Sequence, residues 1–80
     1  MRYQTQHWIQ CRFERDDGRY YQAVIEQDLL GNWVVRRVWG GIGKPAGTMT
    51  VTPCEDLTMA RTLLRDIQKR RQRRHYQQTH

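Results

Sequence analysis

The stretch from His7 to Gln27 leaves the backbone little choice. Residues His7 to Glu14 alternate, with Ile9, Cys11 and Phe13 on one side and Trp8, Gln10, Arg12 and Glu14 on the other, the two-residue period of a half-buried strand. Asp16-Asp17-Gly18 interrupts the run, and an Asp-Gly pair supplies the positive backbone torsions that a tight hairpin needs. The next run, Arg19 to Gln27, therefore returns antiparallel, with Tyr21, Ala23 and Ile25 on its inner face. A sheet is begun before any helix.

Asp28 to Asn32 reads as a second turn, with Gly31-Asn32 tolerating left-handed backbone, and Trp33 to Trp39 as a third strand. Its facing is open, because Trp33, Val35, Arg37 and Trp39 share one side and Val34, Arg36 and Val38 the other. Four of the six glycines lie between Gly40 and Gly47, which makes a flexible loop before a short fourth strand, Thr48 to Val51. Thr52-Pro53-Cys54-Glu55 then predicts a helix start, with Thr52 as N-cap, Pro53 in the first turn and Glu55 as the capping-box acid. Leu57, Ala60, Leu63, Leu64 and Ile67 recur at helical spacing and form one apolar stripe. Beyond Ile67 the stripe gives out, so the helix is expected to run into solvent and fray before Thr79.

These elements predict an α+β fold, a four-stranded twisted antiparallel sheet packed against one long C-terminal helix. Eighty residues hold one such domain, and a chain this short buries only about 60% of its unfolded surface. The expected limits are an N-terminal extension over residues 1–6, the domain over 7–74 and a flexible tail over 75–80. Cys11 and Cys54 stand far apart and outside any metal-ligand spacing, so two buried or half-buried thiols are expected, with no metal and no cofactor. The chain shows no signal peptide and no apolar run long enough to span a bilayer, which points to the cytoplasm.

The net charge of +6 is unevenly placed. Residues 1–60 carry seven basic and seven acidic side chains, whereas residues 61–80 carry seven basic and one acidic. Such a field repels itself unless an anionic partner is present. Arg61, Arg65 and Lys69 project about one turn apart and can track a phosphate backbone, with Arg70 and Arg73 extending the basic helix end. Leu29 to Cys54 contains no acid, yet holds Arg36, Arg37, Lys44, Trp39 and the glycine loop. Glycine amides can approach a phosphate, and an aromatic ring beside them can stack on a base or sugar.

Catalysis finds no support in the inventory. The histidines are His7, His75 and His80, and paired carboxylates, a His-Glu-x-x-His motif, a phosphate-binding loop and a nucleophile elbow are all missing. No small-molecule substrate is expected. An anionic membrane would need apolar bulk alongside the cations, but the stripe stops where the basic run begins.

Trp39-Gly40-Gly41-Ile42-Gly43 resembles the signature of the WGR domain, a Trp-Gly-Arg module of DNA-dependent poly(ADP-ribose) polymerases and of short bacterial proteins. Tyr20-Tyr21 is similar to the family's aromatic pair opening the second strand, Gly31 with Trp33 to its turn and aromatic, and Gly47 to its later loop glycine. Ala60, Leu64 and Ile67 match its helix stripe and Tyr76 its aromatic after the helix, so the likeness covers about residues 7 to 76. Two departures stand out. Gly41 occupies the place of the signature arginine, which in the polymerases contacts DNA and neighbouring domains, and the stretch from Gly43 to Gly47, with Pro45, is one residue longer.

The resemblance implies a twisted antiparallel sheet crossed by the helix and a role in binding a DNA end or flexed duplex around Trp39. Lys44, Arg36 and Arg37 are then the groups to replace the charge missing at position 41. The expectation is a non-enzymatic nucleic-acid-binding module, for DNA rather than RNA, using Trp39, Arg36, Arg37, Lys44, Arg61, Arg65, Lys69, Arg70 and Arg73. The alternative is a protein–protein interaction or adaptor module in a bacterial DNA-processing assembly.

Overall fold

The computed structural model describes residues 9–45 and 47–80. His7, Trp8 and the expected extension over 1–6 lie outside the described residues. The elements are β1 (Ile9–Glu14), β2 (Arg19–Gln27), β3 (Trp33–Gly41), β4 (Thr48–Cys54), α1 (Leu57–Arg73) and β5 (Gln77–Gln78). They form one antiparallel sheet in the order β4-β3-β2-β1-β5 with the helix across one face, an α+β architecture.

The first two hairpins turn through three-residue loops. In the first, the Arg15 amide donates to the Arg19 carbonyl and the Gly18 amide to the Arg15 carbonyl. Gly18 alone takes a positive φ, of 84°, so this is a three-residue turn closed by a left-handed glycine rather than a two-residue Asp-Gly turn. The second repeats the pattern: Asp28 pairs with Asn32, Gly31 takes φ 84°, and the Asp28 carboxylate accepts from the Leu30 and Asn32 amides at 2.9 Å.

Register settles the facing of β3. Ile25 lies opposite Val35, Ala23 opposite Arg37 and Tyr21 opposite Trp39, which puts Val35, Arg37 and Trp39 on the helix side. Ile25 and Val35 are fully buried there, with Cys11, Phe13, Ala60, Leu64 and Ile67 around them. Among the described residues the other face carries no helix. Long polar side chains lie along it instead, Arg12 reaching Glu14 and Gln22, and Arg36 reaching Glu26. Between them Val24 and Val34 stay buried.

Two expectations about the helix are corrected. Its N-cap is Asp56, not Thr52: Asp56 is extended, with φ −155°, and its Oδ1 accepts from the Met59 amide at 2.8 Å. Thr52 and Pro53 belong to β4, which stays paired with β3 as far as Cys54 opposite Trp33. The ladder continues because β4 is an edge strand, where a proline without N–H is tolerated. Asp56, four residues after Thr52, caps as well as a threonine. Glu55 closes no capping box; its amide faces the Met59 sulfur at 3.4 Å.

The chain end does not fray as expected. The 17-residue helix is about 26 Å long and four paired strands are roughly 14 Å wide, so it crosses the sheet obliquely from the β4 side to the β1 side. It stops in a Schellman turn, the His75 amide donating to the Gln72 carbonyl and the Tyr76 amide to the Arg71 carbonyl. His75 takes the left-handed place usually held by glycine, with φ 67°. Tyr76 is then buried, and Gln77–Gln78 pair with Glu14 and Phe13 as a fifth strand. No helix among the described residues is long and apolar enough to cross a membrane.

Candidate functional site

The site grows from the β2–β3 ladder. Tyr21 and Trp39 are register partners on the helix side, and their rings stack with centroids 5.5 Å apart and planes 10° off parallel. Beneath them the helix contributes Arg71, one turn past Ile67 on the row of Ala60, Leu64 and Ile67. Its guanidinium lies 4.2 Å from the Tyr21 ring centre and 5.2 Å from that of Tyr76, while its Nε is buried without a hydrogen-bond partner among the described residues. Tyr76 meets Tyr21 edge-on at 6.5 Å. Arg15 covers Tyr76 at 4.8 Å and donates to the Arg74 carbonyl. Two cations and three aromatic rings thus form one column tying the sheet to the end of the helix.

Trp39 is half-buried, neither sealed in the core nor free in solvent. It borders a cleft of about 520 Å³ shared with Gly18, Arg19, Tyr20, Gly41, Lys44 and Tyr76. The signature loop is fastened to the first turn by the Ile42 amide donating to the Gly18 carbonyl at 2.7 Å. Glycine is forced at Gly47, where a Cβ would stand 2.8 Å from both the Trp39 carbonyl oxygen and the Tyr20 hydroxyl. At Gly41 the space is filled differently: the three atoms nearest to a Cβ there all belong to the stem of Lys44, at 3.0 to 3.6 Å. The lysine chain lies over the residue that bears no side chain.

Charge at the cleft is mixed but organised. Asp17 holds Arg15 by two contacts, of 3.1 and 2.8 Å. The hydrogen bond from Arg15 is the main reason why the Asp17 carboxyl sits below its ordinary range. Arg19 and Lys44 are exposed beside it. On the helix, at about 100° per residue, Arg61, Arg65, Lys69 and Arg73 form a ridge outside the core-facing row, and all four are exposed. Arg70 lies on the opposite flank from Arg61.

The expected residues therefore do not form one patch. Trp39 and Lys44 share the cleft, and Arg61, Arg65, Lys69 and Arg73 share the helix ridge. Arg37 is on the helix side, half-buried, with its Nε lacking a partner among the described residues. Arg36 is on the bare face, bonded to Glu26 at 3.1 Å. Sequence reasoning counted Arg71 only with the basic helix end, although its spacing from Ala60, Leu64 and Ile67 places it in the stripe, and passed over Arg15 and Arg19, whose positions over Tyr76 and beside Trp39 depend on pairing.

Cys11 and Cys54 are buried free thiols, and burial pushes both thiol pKa values up. Among the described residues no group of three or more His, Cys, Asp or Glu is placed to hold a metal ion. A family model described as the WGR domain matches residues 5–80. Comparison with curated proteins and with solved structures returned no match.

Proposed function

Because the chain belongs to the WGR domain family over residues 5–80, a family of small nucleic-acid-binding modules that are not themselves catalytic, we propose that it binds DNA independently of sequence, with Trp39 as the stacking platform. The observation that carries this reading is the half-buried indole, backed by Tyr21 at 5.5 Å and opening onto a cleft with Arg19 and Lys44 at its rim. A ring supported on one face and open on the other can receive a base or sugar without rearranging. Lys44, its stem lying over Gly41, brings a cation to the place where the family has its signature arginine. It is a point charge without the planar fork of arginine, suited to a phosphate rather than to a base edge.

The helix ridge of Arg61, Arg65, Lys69 and Arg73 supplies further phosphate contacts, with Arg70 on its flank and Arg37 on the Trp39 side of the sheet. Arg36, held by Glu26 on the other face, contributes least. If roughly four to six phosphates are neutralised, log affinity should fall against log salt with a slope of about −4 to −5. Titration of labelled duplex, single strand and matching RNA at two salt concentrations tests this directly. Trp39→Ala should weaken binding about tenfold, within the range of one lost base stack, while circular dichroism stays unchanged. Lys44→Ala should weaken it less and flatten the slope by about one. Absence of binding to any duplex below ~100 micromolar at low salt would reject the reading.

A second reading, a protein-interaction module, is favoured by the β2–β3 turn. Leu29 and Leu30 are 81% and 87% exposed on its tip, at the end of the sheet away from Trp39, and such side chains are costly to leave in water. Leu29→Ser with Leu30→Ser should abolish capture of a partner from nuclease-treated host lysate. A partner that the double variant still captures excludes this turn as the contact.

A further inference from the structure

Beyond the Trp39 cleft there is a second one of about the same volume, 520 Å³, between the helix and β5. Its walls bear Gln68, Gln72, Gln77 and Gln78 together with Arg65 and Lys69, and its floor is Phe13 and Tyr76. Tyr76 also borders the Trp39 cleft, so one buried ring divides two neighbouring hollows. Among the described residues no acidic side chain lines the second hollow.

The four carboxamides fall into two pairs. Gln68 donates to Gln78 at 3.3 Å and to the Cys11 sulfur at 3.4 Å, and Gln78 donates to the His80 carbonyl at 3.2 Å, which braces the helix against β5. Gln72 and Gln77 are exposed and make no side-chain hydrogen bond with the described residues. Each carries a donor and an acceptor together, so each can meet the edge of any base. Arg65 and Lys69 stand beside them without an acidic partner among the described residues, free to take a phosphate.

We propose that this cleft is a subsite for an unpaired nucleotide at a strand end, next to the nucleotide received at Trp39, with Gln72 and Gln77 meeting the base and Arg65 and Lys69 its phosphate. The proposal rests on the DNA-binding reading and adds to it a preference for ends that carry an overhang. A hollow of this size is within the range of small-ligand sites. The shared Tyr76 wall makes the two positions adjacent, as successive nucleotides require.

The test uses the full chain and four labelled duplexes of one sequence: blunt, with a two-nucleotide 5′ overhang, with the same overhang on the 3′ strand, and with an abasic overhang that keeps the phosphates alone. One overhang should bind on the order of tenfold tighter than the blunt end, as one further base contact allows. The abasic version should gain much less. Gln72→Ala with Gln77→Ala, both on the surface, should erase the overhang gain and leave blunt affinity unchanged, whereas Trp39→Ala should lower both and preserve their ratio. Equal affinity for all four duplexes overturns the subsite while leaving DNA binding intact. An abasic overhang that binds as well as the intact one overturns base contact, and absence of binding to every duplex overturns the underlying reading as well.

Discussion

At the residue scale, two glycines next to Trp39 make a contrast that can be measured. A methyl group at Gly47 would press on the Tyr20 hydroxyl and on the backbone carbonyl of Trp39, and the carbonyl cannot yield without moving the strand, so Gly47→Ala should cost about 1–3 kcal/mol. At Gly41 the nearest atoms belong to a flexible lysine stem, and Gly41→Ala should leave stability nearly unchanged. Thermal melts of the two variants, with the intrinsic fluorescence of the indoles followed in parallel, decide the matter. Arg71 is the residue whose role was least visible beforehand. It sits in the apolar row by spacing but is cationic by type, and only the rings of Tyr21 and Tyr76, brought together from β2 and the chain end, explain how a guanidinium is accommodated there.

At the element scale, the strands were legible because alternation and turn residues are local signals. The bounds of β2 agree with the expectation, and the inner faces of β1 and β2 follow from the side-chain period alone. The helix limits were harder. Thr52-Pro53 has the chemistry of a helix start, yet pairing with β3 claims those residues, and pairing is a property of two segments that no local window contains. Asp56→Ala should therefore destabilise the domain by about 1 kcal/mol, the usual value of a lost cap, lowering the melting temperature by about 4–8 °C. Thr52→Ala should do much less. The other end was missed because the stop signal sought was a glycine and the chain uses His75 in its place. His75→Gly relieves a left-handed non-glycine residue and should raise stability by about 0.5–1 kcal/mol after the greater freedom of glycine in the unfolded chain is counted. A lower melting point in that variant would show that the imidazole does something else.

At the scale of the whole molecule, the charges expected as one surface are distributed over the cleft, the helix ridge and the bare sheet face, because adjacent residues on a strand must point to opposite sides. Arg36 and Arg37 could not both face one partner. Acid provides a separate handle on the cleft. Since the Asp17 carboxyl lies below its ordinary value of 3.8 when folded, its contribution is complete above that value and is lost as pH falls through the lower, folded one. The link from the first turn through Arg15 to Tyr76 should loosen only in strong acid, a change that tyrosine and tryptophan fluorescence between about pH 5 and 2 will register; loosening already above pH 5 would contradict it. The pairing of β1 with β5 has a consequence for biogenesis. During translation the nascent amino-terminal hairpin must wait, with the Phe13 edge unsatisfied, until residues 76–78 have left the ribosome. Closure of this sheet therefore has to follow the emergence of the helix and β5, and a stalled chain lacking those residues would display an adhesive strand to its neighbours.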